Sequence, residues 1–203
     1  TGWRLGIAVA PEWLIEIFGQ FAINKWSCVS RTNQIVAGAI FGDVEVDGCK
    51  YECVYDKIQP LLKADFAEYE KKGKFLVDCL RLLSPYIIPN EVEGAFYDFP
   101  NFEGVLNLKY VKQDLNIKSE KDLNQWLLYE RGIATLAGSD FGSAGAGYLR
   151  FSYAEDRNKH IIPGMKHLLK TVIELVEKSN EKAPLKIEEV DAKVGEIEKK
   201  YFS

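Results

Sequence analysis

Two arginines stand where a chain ordinarily avoids charge. Arg150 falls in the middle of Gly147-Tyr148-Leu149-Arg150-Phe151-Ser152-Tyr153. Strand alternation puts Leu149, Phe151 and Tyr153 on one face and Arg150 on the other, with Tyr148 and Ser152. A guanidinium among aromatic residues needs an anionic partner, because burying an unpaired charge is costly. That partner is either a carboxylate of the same protein or the carboxylate of a substrate held in the guanidinium fork. Arg4, in Gly2-Trp3-Arg4-Leu5-Gly6, stands at the head of an apolar run. The neighbouring glycines let other groups come close, and an arginine there can bind a phosphate bidentately or simply reach solvent or a carboxylate.

The remaining candidates are weaker. Gly138-Ser139-Asp140-Phe141-Gly142-Ser143-Ala144-Gly145-Ala146-Gly147 is rich in small residues. It lacks the spacing of a P-loop or a dinucleotide fingerprint, so it reads as a turn between strands or as a loop that lets a ligand come close. His160 and His167 lie on or beside the polar edge of a helix with no third ligand in view, and read as surface histidines. Asp98, Glu91 and Glu93 read as ordinary loop acids, and no Ser-His-Asp or Cys-His set is apparent. Cys28, Cys49, Cys53 and Cys79 match no zinc spacing and read as reduced thiols of a cytosolic protein.

Each candidate depends on an element to hold it. Leu5 to Ala10 is apolar without alternation, which suits a strand buried on both faces of a mostly parallel sheet. Pro11 can open a helix through Trp13, Ile17 and Phe21, since its missing N–H is not needed there. A second helix is expected over residues 32–41, with Gly42 as its stop, and residues 43–51 read as an irregular connector. From Pro60, steps of four and three through Leu62, Phe66, Tyr69, Gly73, Leu76, Leu80 and Leu83 predict one face of a long helix that ends before Pro85. Strands are expected at 87–88, 95–99, 133–136 and 148–153. Ser119 and Gly132 bracket a helix between the second and third of these, with Asp122 near its positive end. A core helix follows through Ile161, Met165, Leu168, Val172 and Leu175. After Pro184 a last helical stretch carries Ile187, Val190, Val194, Ile197 and Tyr201, and the charges from Lys178 to Lys200 read as its solvated face.

The organisation is therefore α/β in two parts. Residues 1–55 look like the edge of a larger α/β domain, and residues 56–203 like a compact α+β domain with helices covering a small sheet. The chain has 203 residues, 47% of them hydrophobic, enough to bury a core. A formal charge of −4 gives no footprint for nucleic acid or anionic membrane, and no apolar run reaches the length of a membrane span. The opening Thr-Gly-Trp-Arg, with Met165 as the one methionine, reads as a piece of a longer chain.

Four segments together resemble the fold-type I pyridoxal-phosphate-dependent aminotransferases, in particular the aspartate/aromatic/alanine class. They are Gly2 to Pro11, Gly94-Ala95-Phe96-Tyr97-Asp98-Phe99-Pro100, Ile133 to Gly142, and Gly147 to Ala154. They occur in the family's order, and the resemblance covers about residues 1–178. It implies the end of the large cofactor-binding domain followed by the α+β small domain. It also implies that Arg4 binds the phosphate of pyridoxal 5'-phosphate and that Arg150 binds the α-carboxylate of the amino acid. The substrates would be an amino acid and a 2-oxo acid, and the assembly a homodimer, or a pairing with the missing N-terminal half, in the cytoplasm. The lysine that links the cofactor would precede Thr1, so this chain alone is expected to be inactive. Ala137 stands where the family has proline before Gly138, residues 24–31 depart from the family's turn, and residues 178–203 run beyond the resemblance. Two other readings share the fold: a carbon–sulfur lyase and a non-catalytic sensor domain.

Overall fold

The computed structural model describes residues 4–203, apart from the side chain of Trp26. It divides into two compact units, Thr1–Ala64 and Asp65–Ser203, so the divide lies within a helix that spans both.

In the first unit, helix α1 (Glu12–Trp26) follows Pro11, whose carbonyl accepts from the N–H groups of Leu14 and Ile15 at 2.9 and 3.1 Å. Helix α2 (Arg31–Phe41) ends at Gly42. The segment expected to be an irregular connector is a β-hairpin instead. Strand β1 (Val44–Val46) pairs antiparallel with β2 (Cys49–Tyr51). Asp47 and Gly48 between them take φ of 52° and 77°. An Asp-Gly pair with both residues left-handed is the turn whose twist matches a two-residue hairpin. The sequence carries this signal in Val-Glu-Val-Asp-Gly-Cys-Lys-Tyr, where Asp-Gly separates two short β-prone runs.

The expected strand from Leu5 to Ala10 is also corrected: these residues form no strand. Ile7 is 63% and Val9 95% exposed. A strand buried on both faces needs neighbours for its backbone groups and side chains. Among the described residues the only sheets are β1–β2 and the three strands of the second unit.

The second unit grows from α3 (Tyr55–Arg81), which starts earlier than expected and carries Pro60 within its N-terminal part. Its C-terminal half is buried, with Phe75, Leu76, Cys79 and Leu80 facing the core. A three-stranded antiparallel sheet follows, in the order β3 (Tyr97–Asp98), β5 (Leu149–Ser152), β4 (Leu136–Ala137). Each strand is shorter than its sequence pattern suggests, and residues 87–88 contribute one bridge, between Ile88 and Asn101. Short helices α4 (Glu103–Leu106) and α5 (Lys109–Gln113) were not anticipated.

Helix α6 (Glu120–Arg131) matches its start and stop signals. Ser119 Oγ accepts from the Asp122 N–H, the Asp122 carboxylate accepts from the Ser119 N–H, and Gly132 ends the helix at φ 65°. Helix α7 (Ile162–Lys178) buries Met165, Leu168, Val172 and Leu175 in the centre of the core. Helix α8 (Val190–Phe202) completes it with Val190 and Val194, both fully buried. Its C-terminal end is fastened to α3, where the Asp78 carboxylate accepts from Lys200 Nζ at 2.7 Å and Tyr201 Oη at 2.6 Å.

Candidate active site

The antiparallel register fixes Arg150. On β5, Leu149 and Phe151 point into the core and Arg150 alternates to the other side, half-buried. Tyr97 on β3 pairs in register with Ser152, and so presents its ring on the face that Arg150 occupies. The guanidinium carbon lies over the rings of Tyr97 and Phe141, 4.2 Å from each centroid. Phe141 comes from a 3-10 turn, Gly138–Phe141, in the glycine-rich loop. Phe99 extends the aromatic cluster, stacked on Tyr148 at 5.4 Å and edge-on to Phe141 at 6.1 Å.

Among the described residues no carboxylate forms a salt bridge with Arg150. Of the two readings left open by the sequence, the internal ion pair is therefore not the one found. The ring contacts stabilise the cation through its charge and flat face. They do not consume its N–H donors, which remain available to an acceptor with the planar geometry of a carboxylate.

The loop beside Arg150 is tightly folded, not a slack turn. A second 3-10 turn, Ser143–Gly145, follows the first. A Cβ on Gly138 would fall 2.1 Å from the carbonyl oxygen of Gly145, so two backbone segments cross where only glycine fits. Gly147 takes φ +81° at the entry to β5. Glu120, at the start of α6, is 6% exposed. It accepts hydrogen bonds from the Ser139 hydroxyl and, at 3.2 Å, from the Gly147 N–H. Burial opposes ionisation of Glu120, yet these donors hold its carboxyl below the ordinary range. Neither Glu120 nor the ring contacts of Tyr97 and Phe141 were picked out from sequence. The period-2 alternation of residues 95–99 could have flagged Tyr97. Glu120 carried only the signal of an acid in a helix's first turn.

Arg4 belongs to the first unit. It is exposed, takes φ +53°, and forms no ion pair with another described residue. Gly2 and Trp3, which precede it in the quoted motif, lie outside the described residues. An exposed guanidinium without a counter-ion among the described residues leaves its N–H donors open to an anion.

The other candidates stay peripheral. His167 Nε2 lies 2.7 Å from the Arg131 carbonyl on the surface of α7. A groove of about 610 Å³ is lined by His160, His167, Glu155, Ile133 and Phe151 among others, but not by Arg150. Glu91 pairs with Arg81. Asp98 is the exception to its reading as an ordinary loop acid. It is 2% exposed on β3, its Oδ1 accepts from the Phe99 N–H at 2.7 Å, and its Oδ2 has no partner. Burial pushes its carboxyl up to about 6. The four cysteines are free, Cys79 buried and the others exposed. No cluster of three potential metal ligands occurs among the described residues, and no described helix is long and apolar enough to cross a membrane.

No model of a protein family matches the chain. It is 30% identical over 164 residues to an aspartate aminotransferase of Pyrococcus horikoshii, a match covering 79% of this chain and 35% of that protein. It is 29% identical over 155 residues to aromatic-amino-acid aminotransferase 2 of Thermococcus litoralis, covering 76% of this chain and 33% of that one. Among solved structures, an aromatic aminotransferase from Pyrococcus horikoshii superimposes with a TM-score of 0.54 at 24% identity, over 89% of this chain and 40% of that one. The chain thus spans about a third of the length of the relatives it matches. The chain is thus similar in sequence to part of these aspartate and aromatic-amino-acid aminotransferases, and its fold resembles part of the solved aromatic aminotransferase.

Proposed function

We propose that this chain forms part of a pyridoxal-phosphate-dependent aminotransferase that moves an amino group between an amino acid and a 2-oxo acid. The observation that carries the proposal is Arg150: a half-buried guanidinium, 4.2 Å from two aromatic rings, with no carboxylate of the described residues to neutralise it. Arg150 holds the substrate's α-carboxylate and so fixes the direction in which the rest of the substrate points. Arg4 shares in holding the cofactor's phosphate. When bound, pyridoxal phosphate supplies the electron sink for chemistry at the amino-bearing carbon.

Residues 1–55 belong to the cofactor-binding large domain in this reading, and residues 56–203 to the small domain. In this reading the activity belongs to the whole enzyme, of which the chain forms part. The working protein is a cytoplasmic homodimer.

The test is Arg150→Ala in the intact enzyme. Losing a charge-assisted, two-pronged contact of about 1.5–3 kcal/mol should raise KM for the amino acid roughly 10- to 100-fold. Wild-type kinetics in that variant would overturn the assignment. Product analysis separates the chemistry: amino transfer gives a new amino acid, whereas pyruvate and a thiol from a sulfur-containing substrate would mark a lyase.

A further inference from the structure

We propose that Glu120 is a positioning residue for Arg150: its buried carboxylate clasps both ends of the loop that lays Phe141 against the guanidinium. The inference rests on the reading of Arg150 as a carboxylate-binding group.

The loop from Gly138 to Gly147 has two ends and one carboxylate serves both. Near its start, the Ser139 hydroxyl donates to Glu120 Oε1. At its finish, the Gly147 N–H donates to Glu120 Oε2 at 3.2 Å. A third tie comes from the next residue of α6, where Lys121 Nζ sits 2.9 Å from Asp140 Oδ1. Between these ties the chain folds so closely that Gly138 and Gly145 meet backbone to backbone. Phe141 projects from this fold onto Arg150, and Gly147 leads directly into β5.

A carboxylate that is 6% exposed would be costly if its acceptors were unfilled. Here the loop's own donors fill them, so loop and carboxylate stabilise each other. The consequence reaches the guanidinium. A side chain as long as arginine has many rotamers, and binding a carboxylate with both prongs requires one of them. Phe141 helps to select that rotamer, and Glu120 holds Phe141 in place. Lys121 and Asp140 are both exposed, so their pair is the minor tie.

The experiment uses the full 203-residue chain, isotope-labelled, with Glu120→Ala and Ser139→Ala. Asp78→Asn serves as a control that weakens the same unit far from the loop. The ring contacts, 4.2 Å from the guanidinium carbon, are expected to displace the Arg150 Nε–H resonance in the wild type. Glu120→Ala is expected to abolish that displacement and to speed amide exchange over residues 139–147 at least tenfold. Ser139→Ala, which leaves the buried acid in place, should shift both in the same direction by a smaller amount. Asp78→Asn should change neither. An unchanged Arg150 signal in both loop variants would overturn the proposal. So would equal effects from Asp78→Asn, since the clasp would then be general stability alone. Titration with succinate separates this from the role of Arg150. Binding that moves the Arg150 resonance should weaken at least tenfold in Glu120→Ala. If succinate leaves that resonance still in the wild type, the carboxylate-binding role fails, while the ring displacement and exchange rates still decide whether the clasp exists.

Discussion

Arg150 and Asp98 lie on neighbouring strands, and both are charged residue types in a setting that disfavours charge. Arg150 is relieved by two rings and an open donor edge. On the proposed role, replacing it with lysine in the intact enzyme should recover little of the substrate affinity lost in the alanine variant, because an ammonium is a point charge without the planar fork. Measured KM values for the two variants would differ by less than tenfold. Asp98 has no such relief: one of its oxygens is buried without a partner. Its folded-state carboxyl is pushed up to about 6 from an ordinary value of 3.8. A raised acid favours the folded state while protonated. Its contribution is therefore full below the unfolded value and is lost as pH rises towards the folded one. The loss amounts to roughly 2–3 kcal/mol. Asp98→Asn, which cannot ionise, should remove this slope. Urea midpoints between pH 4 and 7, compared with wild type, check it, and a constant difference across that range would refute the shift.

At the level of elements, caps and docking contacts decide which pieces hold. The reciprocal Ser119–Asp122 box closes the N-terminus of α6 one residue before Glu120. Ser119→Ala should cost about 1 kcal/mol in chemical denaturation. It should also loosen the Glu120 clasp, since the two share a helix start. Helix α8 lies beyond the family resemblance but is integral to the second unit. Val190 and Val194 are fully buried, Phe202 lies 5.7 Å from the Phe75 ring, and Asp78 receives both Lys200 and Tyr201. Val194→Ala should cost about 2 kcal/mol through lost burial and the cavity left behind. Its urea midpoint would be indistinguishable from wild type if α8 were a detachable tail.

Across the whole molecule, the two units differ in how well they cover their apolar surface. The second has a continuous core built from α3, α7, α8 and the sheet. The first exposes Ile7, Val9, Trp13, Ile17, Phe21 and Ile23. Helix α1 has a polar stripe through Glu12, Glu16, Gln20 and Asn24, but the rest of its surface is apolar, and exposed patches of this kind associate. The isolated chain should therefore self-associate in sedimentation and bind a hydrophobic dye. Limited proteolysis should cut first within residues 4–54 and leave a resistant product containing residues 65–203. A monomeric, dye-negative chain cleaved first in the second unit would contradict this.

The sequence by itself determined the features that local chemistry controls. Ser119 and Gly132 bracket α6 because a side-chain oxygen and a left-handed glycine are local requirements. The stripes of α7 and α8, and the alternation that turns Arg150 away from Leu149 and Phe151, follow from the periods of helix and strand. Four short segments in order were enough to point to the family. Features that depend on residues far apart in sequence were not legible. Leu5 to Ala10 reads as a buried strand, yet strandhood needs partners that no described segment provides. Tyr97 and Phe141 lie 53 and 9 residues before Arg150, and only the sheet register and the crossed glycine backbones bring their rings to it. Glu120 is an ordinary first-turn acid until the folded loop delivers Ser139 and Gly147 to its two oxygens. Local propensities act over a few residues, whereas compensation of a buried charge is settled only by what the finished fold places next to it.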